Sequence, residues 1–598
     1  VPTDTGYDLP PSAVPDMSGR LGDVFAENFK ATVTALNLKN LTVTILEANN
    51  TINVKYYGAT GDGTTDDTTA INAAIAAITS TYATLYFPSG TYVVSSTLTL
   101  ASSVRVVGDG QASTTVYLKS SSNCDVFHVT ASNVSFENLT INGNLAGNTG
   151  NLCGIIYTTT LSNLTLKAVT VLNCAATGVQ MTSSSNVLVD GCTMKGSGGQ
   201  QFTYLFSVVV SSNVTLVNSI FNATASTSSV TVFFESVAAS GSVSNILIDN
   251  CIISFPQSTP AESDGIVLDS TSGDPSISDV IMSNNVIFSP AGARTGGANG
   301  IELSGVSGVV ISGNTFYNQT TAIGTRTTGN NHTAITGNTI VGGAASADGD
   351  FAAIVFTSGI DLSITDNVIY NHMTGISVAS VLQSRISNNI IYGAGTESCG
   401  GINLTNCTDL LVNDNLIYGG PTTAFYAIVD GGTMVNCAMR NNLCDGMTYS
   451  IYLNATHTKC TLSGTSFGTS AAPYYISSYT GLTVSDDYNQ TFTYAGTGGM
   501  ALVASPLTWE PTPFAAADAG ISRLGPASLA AGNGTANDTS GNISAKTHTV
   551  TASSGAPTSA GTAGTIGQII AYGGFLYYCS VTGVAGSAMW NKLTMTAV

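Results

Sequence analysis

Four short segments of this 598-residue chain hold the residue types from which a catalytic site can be assembled: TVFFES at 231–236, GIVLDS at 265–270, GIELSG at 300–305 and AIGTR at 322–326. Each reads as a strand in which alternate residues turn outward. Aligning them puts Glu235, Asp269, Ser304 and Arg326 in one outward column and Phe233, Val267, Glu302 and Gly324 in the next. With strands stacked at about 4.8 Å, Glu235 and Asp269 lie roughly 5 Å apart and Glu302 sits diagonally at roughly 7–8 Å. Carboxylates gathered in this way repel one another, which raises at least one pKa. Glycoside hydrolysis needs such a set, because one carboxylic acid must protonate the leaving oxygen. A second carboxylate acts as nucleophile at short separation or activates water at longer separation. Glu235, Asp269 and Glu302 are therefore the expected catalytic residues, with Glu302 or Glu235 as the acid and Asp269 as the nucleophile or base. Asp264, Arg326 and Phe233 are the expected substrate-binding residues. Asp264 would add to the cluster, Arg326 would hold a sugar hydroxyl or orient a carboxylate, and Phe233 would offer an apolar face.

Other readings of the same residues stay open. Acidic groups on exposed strands need no special role, and Asp348, Asp350 and Asp430 are rival carboxylates. A calcium pocket of Asp264, Asp269 and Glu302 is the metal alternative, since Ca²⁺ takes several oxygens; no cofactor is expected otherwise. His128, His332, His372, His457 and His548 are scattered without ligand spacing. The loop 198–201 is a candidate wall for a glycan groove.

The elements that must position these residues announce themselves by repetition. An asparagine returns about every 28 residues inside short β-rich phrases: ENLTI, VNSIF, DNCII, NNVIF, GNTFY, GNTIV, DNVIY, NNIIY, DNLIY and NNLCD, centred on Asn138, Asn218, Asn250, Asn285, Asn314, Asn338, Asn367, Asn389, Asn415 and Asn442. Ala168 and Gly191 occupy two matching positions. A period of this length signals a solenoid. Each repeat holds two alternating β-branched segments joined at the asparagine, then a Gly-Ile-x-hydrophobe segment, which gives three strands per turn. The expected fold is all-β, a parallel β-helix. The recurring asparagine is expected to take the left-handed bend between two strands and to stack its amides into an internal ladder.

Charged residues make up 9% of the chain and the formal net charge is −19, which argues against nucleic acid or an anionic membrane as partner. No run of eighteen apolar residues exists, so no membrane insertion is expected. The eleven cysteines show no close paired spacing, and Cys174, Cys192 and Cys251 fall where small apolar side chains would stack inside the coil, so most are expected to be buried free thiols. Asn-x-Ser/Thr triplets occur at Asn133, Asn163, Asn213, Asn318 and Asn454. Val1 stands where a full gene would begin with Met, as in a processed or truncated chain.

Residues 53–78, NVKYYGATGDGTTDDTTAINAAIAAI, combine a strand, a Gly-Asp-Gly turn and an apolar-periodic helix at 66–78 that would plug the open end of the coil. TLYFPSGTY at 84–92 and VRVVGDG at 104–110 follow as strands. This opening closely resembles the pectate-lyase-like β-helix superfamily, in particular the branch with bacteriophage tailspikes and preneck appendages. The resemblance implies a right-handed coil, a homotrimer, a place on a virion tail or outside the cell, other tail proteins as partners, and a bacterial surface polysaccharide as target. It leaves chemistry open, because the superfamily includes lyases, hydrolases, epimerases and adhesins. A polyuronate lyase is disfavoured, since 196–458 hold no lysine and only four arginines; a non-enzymatic fibre is the other alternative. The expected organisation is an attachment segment at 1–50, the coil at 51–470, irregular packing and linker at 471–545, and a small C-terminal β module at 546–598 with Trp590 and Tyr577 in its core.

Overall fold

The computed structural model describes residues 50–467, apart from short stretches of which 150–153, 197–202, 256–263, 290–298 and 343–351 are examples, and strand segments between 472 and 593. The attachment segment at 1–49 lies outside the described residues, as do Asp348, Asp350, His548 and the loop 198–201. The chain divides into two compact units, 1–509 and 510–598.

In the first unit the Gly-Ile-x-hydrophobe segments build a sheet of 16 parallel strands, from Leu98–Leu100 to Phe492–Tyr494. The remaining two strands of each turn join a 34-stranded sheet. Its main body pairs in parallel turn upon turn, as in Ser212–Val217 against Val243–Asp249. The glycine of the Gly-Ile pair sits where the next turn passes closest: a Cβ on Gly265 would lie 2.5 Å from the Gly300 carbonyl oxygen. Inward-facing aliphatic and aromatic side chains from all three strands fill one continuous core.

The helix spans Thr68–Ala76, slightly shorter than the expected 66–78, and turns Ile71 and Ala74 into the first turns of the core. Asp67 at its start secures the preceding turn, accepting from the Thr60 and Gly61 amides at 2.7 and 3.1 Å. The coil continues beyond residue 470, because Leu482–Ser485 still pairs with Cys460–Ser463 and Phe492–Tyr494 with Ala472–Ile476. Hydrophobic alternation survives there without the asparagine that marked the earlier turns.

The asparagine column proves to be two columns offset by one residue. Asn138, Ala168, Gly191, Asn218 and Asn250 take the left-handed bend themselves, and the residues after them point inward. From the next turn on, Asn284, Gly313, Gly337, Asp366, Asn388, Asp414 and Asn441 take the bend. The repeating Asn285, Asn314, Asn338, Asn367, Asn389, Asn415 and Asn442 are the buried neighbours. Each inward amide nitrogen donates at 2.9–3.0 Å to the Oδ1 of the next turn, from Asn285 to Asn442. The same amides donate back to a carbonyl of the turn before, as Asn367 does to Ile335 at 2.9 Å. A buried amide is tolerated only when its donors and acceptors are met, and the stacking meets them.

A second corner carries an exposed ladder, in which Asn163, Asn186, Asn213 and Asn245 each donate to the asparagine of the preceding turn at 2.6–3.1 Å. The triplets at Asn133, Asn163 and Asn213 are this corner read as sequence: a left-handed asparagine before a β-branched strand. Cys174, Cys192 and Cys251 are buried free thiols. Burial is the main cause that pushes Cys192 and Cys251 up to about 11.

In the second unit, Ile521–Gly525 and Ser528–Ala531 form an antiparallel hairpin. Ile569–Tyr572, Phe575–Val581 and Met589–Leu593 form a three-stranded antiparallel sheet that pairs Cys579 with Trp590 and Tyr577 with Lys592. The side-chain surroundings of Trp590 and Tyr577 lie outside the described residues.

Candidate active site

The 16-stranded sheet sets the register of the carboxylates. Ser229–Ser236 pairs with Ile266–Ser270 so that Phe233 opposes Val267 and Glu235 opposes Asp269. The next strand, Asn299–Ser304, brings Glu302 opposite Val267 and Ser304 opposite Asp269. Gly324 then opposes Glu302, and the Arg326 amide bonds the Leu303 carbonyl at 2.9 Å. Both expected columns are present in the backbone register. Their cause is local: Val232, Phe234, Ile266, Leu268, Ile301 and Leu303 are all buried inward, which forces the residues between them outward.

Outward position does not mean solvation here. Glu302 is only 7% exposed and Val267 is 2% exposed. Glu302 is also well partnered, since the Asn299 side-chain amide donates to its Oε2 at 2.9 Å and the Arg326 guanidinium lies 3.5 Å from its Oε1. Gly324 leaves room for this arrangement: a Cβ there would come within 3.0 Å of Asn299 Oδ1. Glu235 is half-buried and has a different environment. Burial pushes its carboxyl above the ordinary value, and the charge of Asp269 adds to the shift.

Phe233 does not stand alone. Tyr204, from the preceding turn, stacks on it with ring centroids 4.5 Å apart and planes 14° apart. Asp264 is not a surface member of the cluster; it is buried, and its Oδ1 accepts the Asn299 backbone N–H at 2.8 Å. It therefore fixes the residue that holds Glu302. Alignment from the glycine onward missed Tyr204 and Asn299. Starting one position earlier would have set Asp264 beside Asn299, as residues preceding equivalent glycines.

The rival Asp430 lies inside the coil. It occupies an inward position opposite Leu404 and Leu453, where it accepts the Asn454 and Ala455 amides at 2.7 and 2.9 Å and pairs with His457 at 2.7 Å. No group of three or more His, Cys, Asp or Glu side chains suited to a metal ion occurs among the described residues.

The parallel coil defines the fold class of the protein. The family model for Rhamnogalacturonase A/epimerase, pectate lyase-like, matches residues 51–194, and that for the right handed beta helix region matches 236–400. Over these two stretches the chain, a right-handed parallel β-helix, is similar to pectate-lyase-like proteins. Mannuronan C5-epimerase AlgE2 of Azotobacter vinelandii is 38% identical over 117 residues, which is 17% of this chain and 12% of that enzyme. The A-module of mannuronan C-5 epimerase AlgE6 of the same organism superimposes with a TM-score of 0.45 at 18% identity, over 70% of this chain and 99% of that one. The N-terminal fragment of bacteriophage Phi29 gene product 12 gives 0.43 at 14% identity, over 80% of this chain and 100% of that fragment.

Proposed function

We propose that this chain binds and hydrolyses a bacterial surface polysaccharide, with Glu235 as the general acid and Asp269 as the nucleophile. The observation that carries the reading is the pairing of Glu235 with Asp269 on adjacent turns, one of them held toward its protonated form by burial and by the other's charge. Opposed residues on strands about 4.8 Å apart suit the separation of roughly 5–5.5 Å that retaining glycosidases use. Glu235 would give its proton to the glycosidic oxygen as Asp269 attacks the anomeric carbon and forms a glycosyl ester. Glu235 would then take a proton from the water that cleaves that ester.

Glu302 suits the acid role less well than Glu235, because Arg326 and Asn299 stabilise its ionised form. Glu302 and Arg326 instead position sugar hydroxyls, Phe233 and Tyr204 offer the aromatic surface, and Asp264 acts through Asn299. The named activity of the A. vinelandii relative, epimerisation of mannuronan, also supports a polysaccharide as the ligand class. The setting, a virion tail appendage or another extracellular assembly, rests on the resemblance of the opening segment.

The test is incubation of the full chain with capsular, lipopolysaccharide and exopolysaccharide preparations, with products read by mass spectrometry. Saturated oligosaccharides that vanish in E235Q and D269N support the hydrolase. Unsaturated ends would show a lyase, unchanged chain length with altered uronate stereochemistry an epimerase, and retained binding of intact glycan an adhesive fibre.

A further inference from the structure

The inward position that follows the bend at the second corner is a column of aliphatic side chains, Val214, Ile246, Val280 and Val309 among them. Toward the C-terminal turns this column changes type. The left-handed bends at Asn436 and Lys459 are followed by Cys437 and Cys460, each 3% exposed, with Leu410 on the turn before and Leu482 on the turn after. The register is fixed on both sides of the bend: Val435 opposes Thr458 before it, and Ala438 opposes Thr461 after it. The Thr461 amide donates to the Cys437 carbonyl at 2.9 Å. Cys437 and Cys460 therefore stand opposite one another on adjacent turns.

We propose that Cys437 and Cys460 form a modification site, at which a small-molecule disulfide oxidises the two thiols to a disulfide bond that ties adjacent turns together. Opposed residues about 4.8 Å apart fall within the roughly 4.4–6.8 Å that a disulfide spans between Cα atoms. The two thiols already hydrogen-bond to each other. That bond holds the Cys460 thiol below its ordinary range, and the charge of the neighbouring His457, which pairs with Asp430 at 2.7 Å, acts in the same direction. Cys192 and Cys251 supply the contrast. They share an inward column too, but Ser219 stands between them, accepting the Cys192 amide on its Oγ at 3.1 Å and the Ile252 amide on its carbonyl at 2.9 Å. Two turns separate them by roughly 9.6 Å, beyond the limit of about 7 Å for bridging. Among the described cysteines, Cys437 and Cys460 are the pair opposed on adjacent turns.

The step consumes glutathione disulfide or a compound of its class. The Cys460 thiolate attacks one sulfur of that disulfide, breaking its S–S bond and releasing one glutathione thiolate, which takes up the proton Cys460 gave up. Cys437 then attacks the Cys460 sulfur, and its proton goes to the second departing thiolate. Two protein thiols are oxidised and one small disulfide is reduced to two thiols. The pair is close to the last paired strands of the first unit, Leu482–Ser485 and Phe492–Tyr494. Turns near the end of a stack have fewer neighbours holding them and open locally at least cost, which admits the oxidant. The bond stabilises these turns by constraining the unfolded chain. The site faces the interior of the coil and is independent of the hydrolase reading.

The experiment is refolding of the full chain from urea in anaerobic buffers of reduced or oxidised glutathione, so that burial does not limit access. Samples are quenched in acid, alkylated with N-ethylmaleimide in denaturant and mapped as peptides by mass spectrometry. The expected result in oxidised glutathione is a peptide pair joined through Cys437 and Cys460 in most chains, lost on reduction, with Cys192 and Cys251 alkylated as free thiols. The urea midpoint of the wild type is expected to be higher in oxidised than in reduced glutathione, and the midpoints of C437S and C460S to be the same in both. Cys437 and Cys460 recovered as alkylated thiols from the oxidising refold overturn the proposal. So does a bond from either one to a different cysteine in most chains, or a wild-type midpoint that oxidation leaves unchanged.

Discussion

Asp269 and Asp430 stand on the same sheet, in strands of the same Gly-Ile or Ala-Ile type, and differ by one position of alternation. Asp269 follows the inward Leu268 and faces outward beside Glu235. Asp430 replaces the inward hydrophobe itself, opposite Leu404, and is closed off by two backbone amides and His457. The comparison teaches that strand parity, more than residue type, decides which carboxylate faces out of the coil and which serves the core.

Glu235 and Asp269 give the largest expected effect. E235Q and D269N are each expected to lower kcat on a cleaved glycan by about 10²–10⁴-fold, the range of a lost acid–base group, with Tm within a few degrees of wild type. The kinetics of purified variants check this, and retained turnover in either one removes the assigned role.

Asp430→Ala should do the opposite. Leaving His457 and two amides without their buried partner is expected to cost about 3–5 kcal/mol, seen in urea unfolding, while kcat of the folded fraction stays unchanged. Asn367→Leu breaks the internal ladder midway. It strands the Asn338 amides and the Ile335 carbonyl and is expected to cost about 2–4 kcal/mol. By contrast, Asn163→Ser on the exposed ladder should cost under about 1 kcal/mol, because water replaces its partner.

The pH dependence sharpens the comparison further. The folded chain holds Glu235 above its ordinary pKa, so the unfolded chain loses this proton first as pH rises. Stability from this group is therefore fully present below the ordinary glutamate range and declines as pH rises from there through the raised folded value. E235Q should remove that decline, which Tm measured across this range would reveal. In D269N the Glu235 carboxyl should titrate lower than in wild type, because one of the two causes is gone while burial remains; carboxyl NMR titration reads the difference. Among the effects on turnover, the smallest is expected at Tyr204→Ala, roughly a fivefold rise in KM, since one stacked aromatic contributes about 1 kcal/mol.

The site was partly legible before the structure. The four aligned segments give the register that pairs Glu235 with Asp269, because inward hydrophobes at fixed spacing leave little choice about which residues face out. The roles of Asp264 and Glu302 were not legible. Both depend on Asn299, whose backbone bonds one and whose side chain bonds the other, and nothing in its spacing marks it as a connector. The asparagine repeat shows the same division. Its period announced the solenoid, but a one-residue offset exchanged the bend with the buried amide between Asn250 and Asn285.

Sequence by itself determined the parallel coil, the three strands per turn, the helix over the first turns and the outward alignment of the carboxylates, since each follows from local periodicity and chain stereochemistry. Tertiary structure alone decided which carboxylates are buried, which are partnered and which asparagines line the core. Those properties arise between turns some 22–37 residues apart in sequence, as between Asn367 and Asn389 or Ile248 and Asn285, and hydrogen bonding and desolvation act only once the turns are stacked.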